Sequence, residues 1–313
     1  MNKPIYVIIT AGGSGSRMGS AIPKQFLELE GKPILQHTLE LFLSIPQINI
    51  LLVLPQAQKE YWKQYCLENK INIRHRVVCG GVTRFHSVKN ALEHIPDNAI
   101  VAVHDGVRPL VPKEMLRRLF RFDFDANSCN GLIPVTPVVE SLRQYTENGE
   151  SIPVDRSRYC SVQTPQIFTS TELKRAYKQA YTPSFTDDAS VMQSAGYKIE
   201  SCQGSRYNIK ITTPEDLSLC KQLLPLLGCL LRFLSLYPDL PLYRLVQRDH
   251  CLCLKNARNI LDGIDENLHQ MIVVCAEEFE KQCVTTCNKV ALHHLRNLLD
   301  CIYHLLIPVG LCN

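Results

Sequence analysis

The run Ile5-Tyr6-Val7-Ile8-Ile9 passes directly into Thr10-Ala11-Gly12-Gly13. Five consecutive apolar residues without polar alternation predict a strand covered on both faces, as in a parallel sheet. The glycines that follow let the backbone turn sharply and approach a ligand closely. Downstream, apolar residues at helical spacing predict a helix over Ile34–Ser44 (Leu35, Leu39, Phe42, Leu43), and Ile48–Leu54 reads as a second strand. The alternation continues with a helix over Lys59–Asn69, a strand over Arg76–Cys79, a helix over Arg84–His94, a strand over Ala99–His104 and a helix over Pro112–Phe120. This rhythm predicts an α/β fold built on a doubly wound, mostly parallel sheet. In such sheets ligands sit outside the carboxyl ends of the strands, so Gly12–Met18, Gly80–Arg84 and Asp105–Pro109 are expected to meet over one crevice.

The rhythm breaks at 131–165, where Pro134, Pro137 and Pro153 and the polar turn Glu147-Asn148-Gly149-Glu150 predict a projecting β-hairpin arm. Helices are expected over Glu172–Tyr181 and Asp188–Gly196, a last strand over Ser205–Ile211, and a final helix opening at Pro214-Glu215-Asp216. Beyond residue 225 the chain turns rich in Leu, Cys and His and loses the alternation, so a boundary is placed there, with 1–225 as the main domain and 226–313 as an extension of unknown fold. Within the extension, Cys283, Cys287, His293 and His294 lack a zinc-site spacing, and the segment carries no functional assignment.

With 313 residues, 45% hydrophobic and 20% charged, the chain is an ordinary globular protein. A formal charge of +4 does not suggest a dedicated nucleic-acid binder, which would usually carry a strong basic stripe. No apolar stretch reaches the roughly 18 residues of a membrane span. The short run at Ile5–Ile9 is not an export signal, so a cytoplasmic protein is expected. The six cysteines of the first 226 residues have no paired spacing and read as reduced packing thiols, while eight more crowd into the last 87 residues.

The first chemistry-bearing stretch is Ala11-Gly12-Gly13-Ser14-Gly15-Ser16-Arg17-Met18, followed by Pro23-Lys24-Gln25. It lacks the Gly-Lys-Ser/Thr ending of a Walker loop. Met18 stands where a dinucleotide fingerprint needs its third glycine, and no acidic residue ends the second strand at Leu54. What remains is a loop whose backbone N–H groups can cradle phosphate oxygens, beside two cations, Arg17 and Lys24, suited to charge building up on a transferred phosphoryl group. Solvated loop charges are the plainer alternative.

Ala-Gly-Gly-x-Gly-x-Arg-Met followed by Pro-Lys-Gln resembles the signature of bacterial nucleotidyltransferases that make nucleoside-diphosphate sugars and alcohols. The continuation Gln25-Phe26-Leu27 is similar to the 2-C-methyl-D-erythritol 4-phosphate cytidylyltransferases of isoprenoid synthesis. The likeness recurs in order at Gly80-Gly81-Val82-Thr83-Arg84-Phe85-His86-Ser87-Val88, His104-Asp105-Gly106-Val107-Arg108-Pro109, and Val154-Asp155-Arg156 with Gln163-Thr164-Pro165-Gln166. It ends with Thr186-Asp187-Asp188-Ala189-Ser190 and Asn208-Ile209-Lys210-Ile211-Thr212, and covers residues 1 to about 225.

The resemblance implies a Rossmann-like nucleotidyltransferase fold and cytidylyl transfer from CTP to methylerythritol phosphate. It implies that Arg17 and Lys24 stabilise the pentavalent transition state, with Arg156 and Lys210 as further catalytic cations. Ala11, Gly12, Gly13 and Gly15 would line the phosphates, Gly81 and Ser87 the cytosine, and Asp105 and Gly106 the ribose. Arg108, Arg156, Thr186 and Lys210 would hold the acceptor phosphate, with Thr164 a further substrate contact and Ser141 an arm hydroxyl. It further implies Mg²⁺ carried mainly by the CTP phosphates, without protein metal ligands, and a homodimer through the arm, with neither nucleic acid nor membrane as partner. Val82 departs from an Asp common in relatives, and Gly106-Val107 from Ala-Ala.

Rival readings are a ribitol-5-phosphate cytidylyltransferase with the same fold, a dehydrogenase, disfavoured by Met18, and a non-catalytic nucleotide-binding module. Plainer roles are also open for single residues. Asp105 can cap a helix or pair with Arg108, Asp187 and Asp188 read as N-terminal helix acids, Arg156 can pair with Asp155, and His104 reads as a core histidine.

Overall fold

The computed structural model describes residues 3–13, 18–19 and 22–224. Gly15 and Arg17, and the extension 226–313, lie outside the described residues. The chain divides between Cys220 and Lys221, and the fold described below is that of the first unit.

Strands β2 (Glu28–Leu29) and β3 (Lys32–Pro33) pair only with each other, and the apolar run forms strand β1 (Ile5–Thr10). It lies inside the sheet with β4 (Asn49–Leu54) on one side and β6 (Ile100–Asp105) on the other, both parallel to it. Beyond β4 lies β5 (Arg76–Cys79), again parallel. Beyond β6 the sheet continues through β11 (Gln166–Thr169), β7 (Gly131–Pro137) and β12 (Ile199–Gln203). Strand β11 is antiparallel to both its neighbours, and β10 (Cys160–Val162) continues its course along the far end of β7. All the other strands of this sheet run one way.

Side-chain alternation sorts β1 into two cores. Val7 and Ile9 pack with Leu35, Leu39 and Phe42 of α1 (Ile34–Phe42), Trp62 of α2 (Gln56–Glu68) and Met115, Leu116 and Leu119 of α4 (Lys113–Phe120). Ile8 packs with Phe85, Val88 and Leu92 of α3 (Arg84–Leu92), Leu173 of α5 (Ser170–Ala176) and Met192 of α6 (Asp188–Ser194). Helices thus cover both faces, which is why the strands could be apolar throughout. Pro33, Pro55 and Pro112 open α1, α2 and α4 with φ between −55 and −60, already near the helical value.

Two expectations shift. Residues 205–211 form no strand, and the sheet ends at β12, Ile199–Gln203. The proline-rich 131–165 stretch also divides. Its ends, β7 and β10, belong to the central sheet, and the separate hairpin is β8 (Leu142–Tyr145) with β9 (Ser151–Val154). Pro134 and Pro137 are accommodated inside β7, so proline content misplaced the arm's roots. The hairpin turns at Gly149, whose φ of +81 favours glycine. The final helix of the first unit begins at residue 214.

Candidate active site

Parallel pairing brings the carboxyl ends of β1, β4, β5 and β6 to one edge, and backbone hydrogen bonds tie the loops that leave them. Ala11 N–H donates to Val53 O (3.0 Å), Gly80 N–H to Leu54 O (2.8 Å) and Gly106 N–H to Thr10 O (2.9 Å). Gly12 and Gly13 are exposed at this edge, and the Lys24 side chain passes 3.6 Å from where a Gly13 Cβ would stand. Gln25 is buried and closes the loop: its Nε2 donates to Ala11 O (2.7 Å) and to Gln58 Oε1 (2.6 Å). Sequence reading gave Gln25 no structural role, because its partner Gln58 lies on another helix.

The second turn is equally tight. Gly81 N–H donates to Ser87 Oγ (3.0 Å), and a Cβ on Gly81 would stand 2.4 Å from His86 Cβ. Thr83 caps α3, its Oγ1 accepting from His86 N–H. Val82 is 97% exposed, so its departure from Asp removes no contact within the described fold.

At the end of β6, Asp105 is buried and its Oδ2 accepts from Arg108 Nε (3.0 Å) and Lys210 Nζ (3.2 Å). Burial would raise its pKa, but the charges of Lys210, Arg84 and Arg108 outweigh that and hold the carboxyl well below the usual carboxylate range. Arg108 also donates through Nη1 to Asn208 O (2.8 Å). Below this cluster, Asp105 N–H donates to Thr164 Oγ1 (3.1 Å). Thr164 Oγ1 lies 3.0 Å from His104 Nδ1, and His104 Nε2 lies 3.3 Å from Arg108 O. Arg108 O can only accept, so the neutral His104 ring carries its proton on Nε2, directed at that carbonyl, and its Nδ1 accepts from the Thr164 hydroxyl. Burial pushes this imidazole down to about 4. His104 is therefore a core histidine, with the Phe42 ring at 5.1 Å, but one wired into the Asp105–Arg108 loop.

The plainer readings of the two adjacent aspartates hold. Asp187 caps α6 in a capping box with Ser190, and Asp188 is paired with Arg84. Thr186 is exposed just ahead of them. Arg156 follows a different course. It sits exposed in the turn Arg156–Arg158, donating to Val139 O across the arm rather than pairing with Asp155, which caps that turn through Ser157. Ser141 is exposed on the same arm. Lys24, Asp105, Arg108 and Lys210 thus stand at the strand ends or the loop joined to them, while Arg156 and Ser141 stand on the hairpin side.

The family model for IspD, 2-C-methyl-D-erythritol 4-phosphate cytidylyltransferase, matches residues 5–225. The chain belongs to this family. It is accordingly a nucleotidyltransferase, and more narrowly a cytidylyltransferase. The family's enzyme from Bacteroides thetaiotaomicron is 50% identical over 219 residues, which cover 70% of this chain and 98% of that one. That of Porphyromonas gingivalis is 48% identical over 227 residues, 72% of this chain and 99% of that one. Among solved structures, the 4-diphosphocytidyl-2C-methyl-D-erythritol synthase of Anaerococcus prevotii superposes with a TM-score of 0.60 at 26% identity, covering 71% of this chain and 96% of that one. The Francisella tularensis IspD superposes at 0.55 with 31% identity, covering 70% and 98%. Family residues 5–225 include every motif quoted above, so the departures at Val82 and Gly106 are variations within the family.

Proposed function

We propose that the strand-end crevice transfers the cytidylyl group of CTP to 2-C-methyl-D-erythritol 4-phosphate, giving 4-diphosphocytidyl-2-C-methyl-D-erythritol and pyrophosphate in non-mevalonate isoprenoid precursor synthesis. The observation that carries the reading is the meeting of Lys24 over Gly13 with the Arg108–Asp105–Lys210 cluster at one sheet edge. Two anions that repel each other need such converging cations to be brought into line.

In this proposal a phosphate oxygen of the acceptor attacks the α-phosphorus of CTP and pyrophosphate departs on the far side. Lys24, with Arg17, meets the charge that grows on the α-phosphate, while the loop of Ala11, Gly12, Gly13 and Gly15 receives the phosphate chain. Gly81 and Ser87 receive the cytosine, Asp105 and Gly106 the ribose, and Thr164 fixes the Asp105 backbone from below. Arg108, Thr186 and Lys210 hold the acceptor phosphate. Among the described residues no group of three His, Cys, Asp or Glu side chains is placed to hold a metal ion. Mg²⁺ carried mainly by the CTP phosphates would neutralise charge there.

The assembly proposed is a homodimer through the arm, in the cytoplasm. Val139, Tyr145, Ile152 and Tyr159 are all at least 47% exposed along the arm, an apolar surface that a second copy would cover. Arg156 and Ser141 would then reach the partner's crevice. Among the described residues no helix is long and apolar enough to cross a membrane.

The deciding experiment is pyrophosphate release from CTP with methylerythritol phosphate and ribitol 5-phosphate offered separately. Release with the first and little with the second upholds the assignment; preference for ribitol phosphate overturns it.

A further inference from the structure

Arg84 and Asp188 are 104 residues apart in sequence and form a forked pair, Nη1 to Oδ1 at 2.9 Å and Nη2 to Oδ2 at 2.5 Å. The Asp188 side chain is fully buried, and Tyr177 donates its hydroxyl to Oδ1 at 2.6 Å. Arg84 is the first residue of α3, directly after the turn Gly80–Thr83. Asp188 is the first residue of α6, two positions after Thr186. Gln166 of β11 holds the same helix start from a third side, donating to Asp187 Oδ2 (2.7 Å) and accepting from Ala189 N–H (3.0 Å).

A buried ion pair is a poor way to gain stability alone, since an apolar pair of similar volume often does as well. What a forked guanidinium–carboxylate pair adds is geometry: two parallel bonds fix both separation and orientation. We infer that the Arg84–Asp188 pair is a positioning device, setting the Gly80–Thr83 turn and the Thr186 segment at one fixed separation so that nucleotide base and acceptor phosphate are presented together. The inference rests on the proposed placement of CTP at the first turn and of the acceptor at the second.

The test compares wild type with Asp188→Asn, Arg84→Lys and Tyr177→Phe. Asp188→Asn is expected to raise KM for CTP and for the acceptor together, each by roughly fivefold to tenfold, with kcat changed much less. Arg84→Lys, which cannot form the fork, and Tyr177→Phe, which only loosens Asp188, should move both constants the same way by smaller factors and serve if Asp188→Asn does not fold. Ser87→Ala and Thr186→Ala, each at one end, should move one KM each. A pair that merely held the fold together would lower Tm and leave both KM values alone, and that result, or a change in only one KM, overturns the inference. Hydrogen exchange of the amides at 80–83 and 184–187 without substrate reads the same coupling independently of turnover. Faster exchange at both segments in Asp188→Asn supports it, and faster exchange at one alone overturns it. Wild type that releases no pyrophosphate would sink the proposed function, while the exchange result would still decide this one.

Discussion

Lys210 Nζ and Arg108 Nε share a single carboxylate oxygen, Oδ2 of Asp105, at 3.2 and 3.0 Å. One buried acid therefore organises two of the cations proposed to hold the acceptor, and the consequences of removing its charge follow from that. Asp105→Asn leaves two neighbouring cations without their counter-charge. Truncating one partner of a buried pair costs about 3–5 kcal/mol at neutral pH. Because the folded carboxyl has a depressed pKa, its contribution is present above the unfolded value of 3.8 and is lost as pH falls below it. Urea unfolding at pH 7 and pH 3 should show a gap between wild type and variant that narrows in acid; a constant gap would contradict the pairing.

His104 acts in the same sense over a higher pH window. Its folded pKa of about 4 lies below the ordinary histidine value of 6.5, so the unfolded chain binds the proton first. Stability is then full above the unfolded value and declines as pH falls toward 4, by a total on the order of 3 kcal/mol. His104→Asn, which cannot titrate, should flatten the stability profile between those two pH values while the acid limb due to Asp105 remains.

Lys24 stands beside Gly13 at the mouth of the phosphate loop. Lys24→Ala is expected to lower turnover by roughly 10²–10³, with CTP affinity weakened far less, since the charge it meets develops in the transition state. Single-turnover rates and CTP titration separate the two effects. Near-normal turnover would remove Lys24 from the mechanism.

Gly106 is needed here for its size. A Cβ at this position would stand 2.9 Å from Ala11 Cβ and 3.1 Å from Thr10 O. Gly106→Ala should therefore destabilise the fold by about 1–3 kcal/mol through overpacking. Adding Ala11→Gly should recover part of that loss, leaving the Thr10 carbonyl contact. Chemical unfolding of both singles and the double variant measures the coupling, and strict additivity would show that the two sites do not touch.

The alternation of apolar strands with amphipathic helices made the parallel sheet legible from residues alone, because a strand covered on both faces must be apolar throughout. It also placed Gly12, Gly81 and Asp105 at one edge, since parallel strands end together. Local chemistry was equally readable: Asp187 as a helix cap depends only on residues three positions away. Periodicity says which face a side chain takes but not which partner waits there. The last strand was displaced, and β7 and β10 were assigned to the arm, because their partners lie in distant segments and prolines obscured the pattern. Gln25 with Gln58, Asp105 with Lys210, His104 with Thr164 and Arg84 with Asp188 are separated by 33 to 105 residues, and only the folded crossovers bring them within hydrogen-bonding reach.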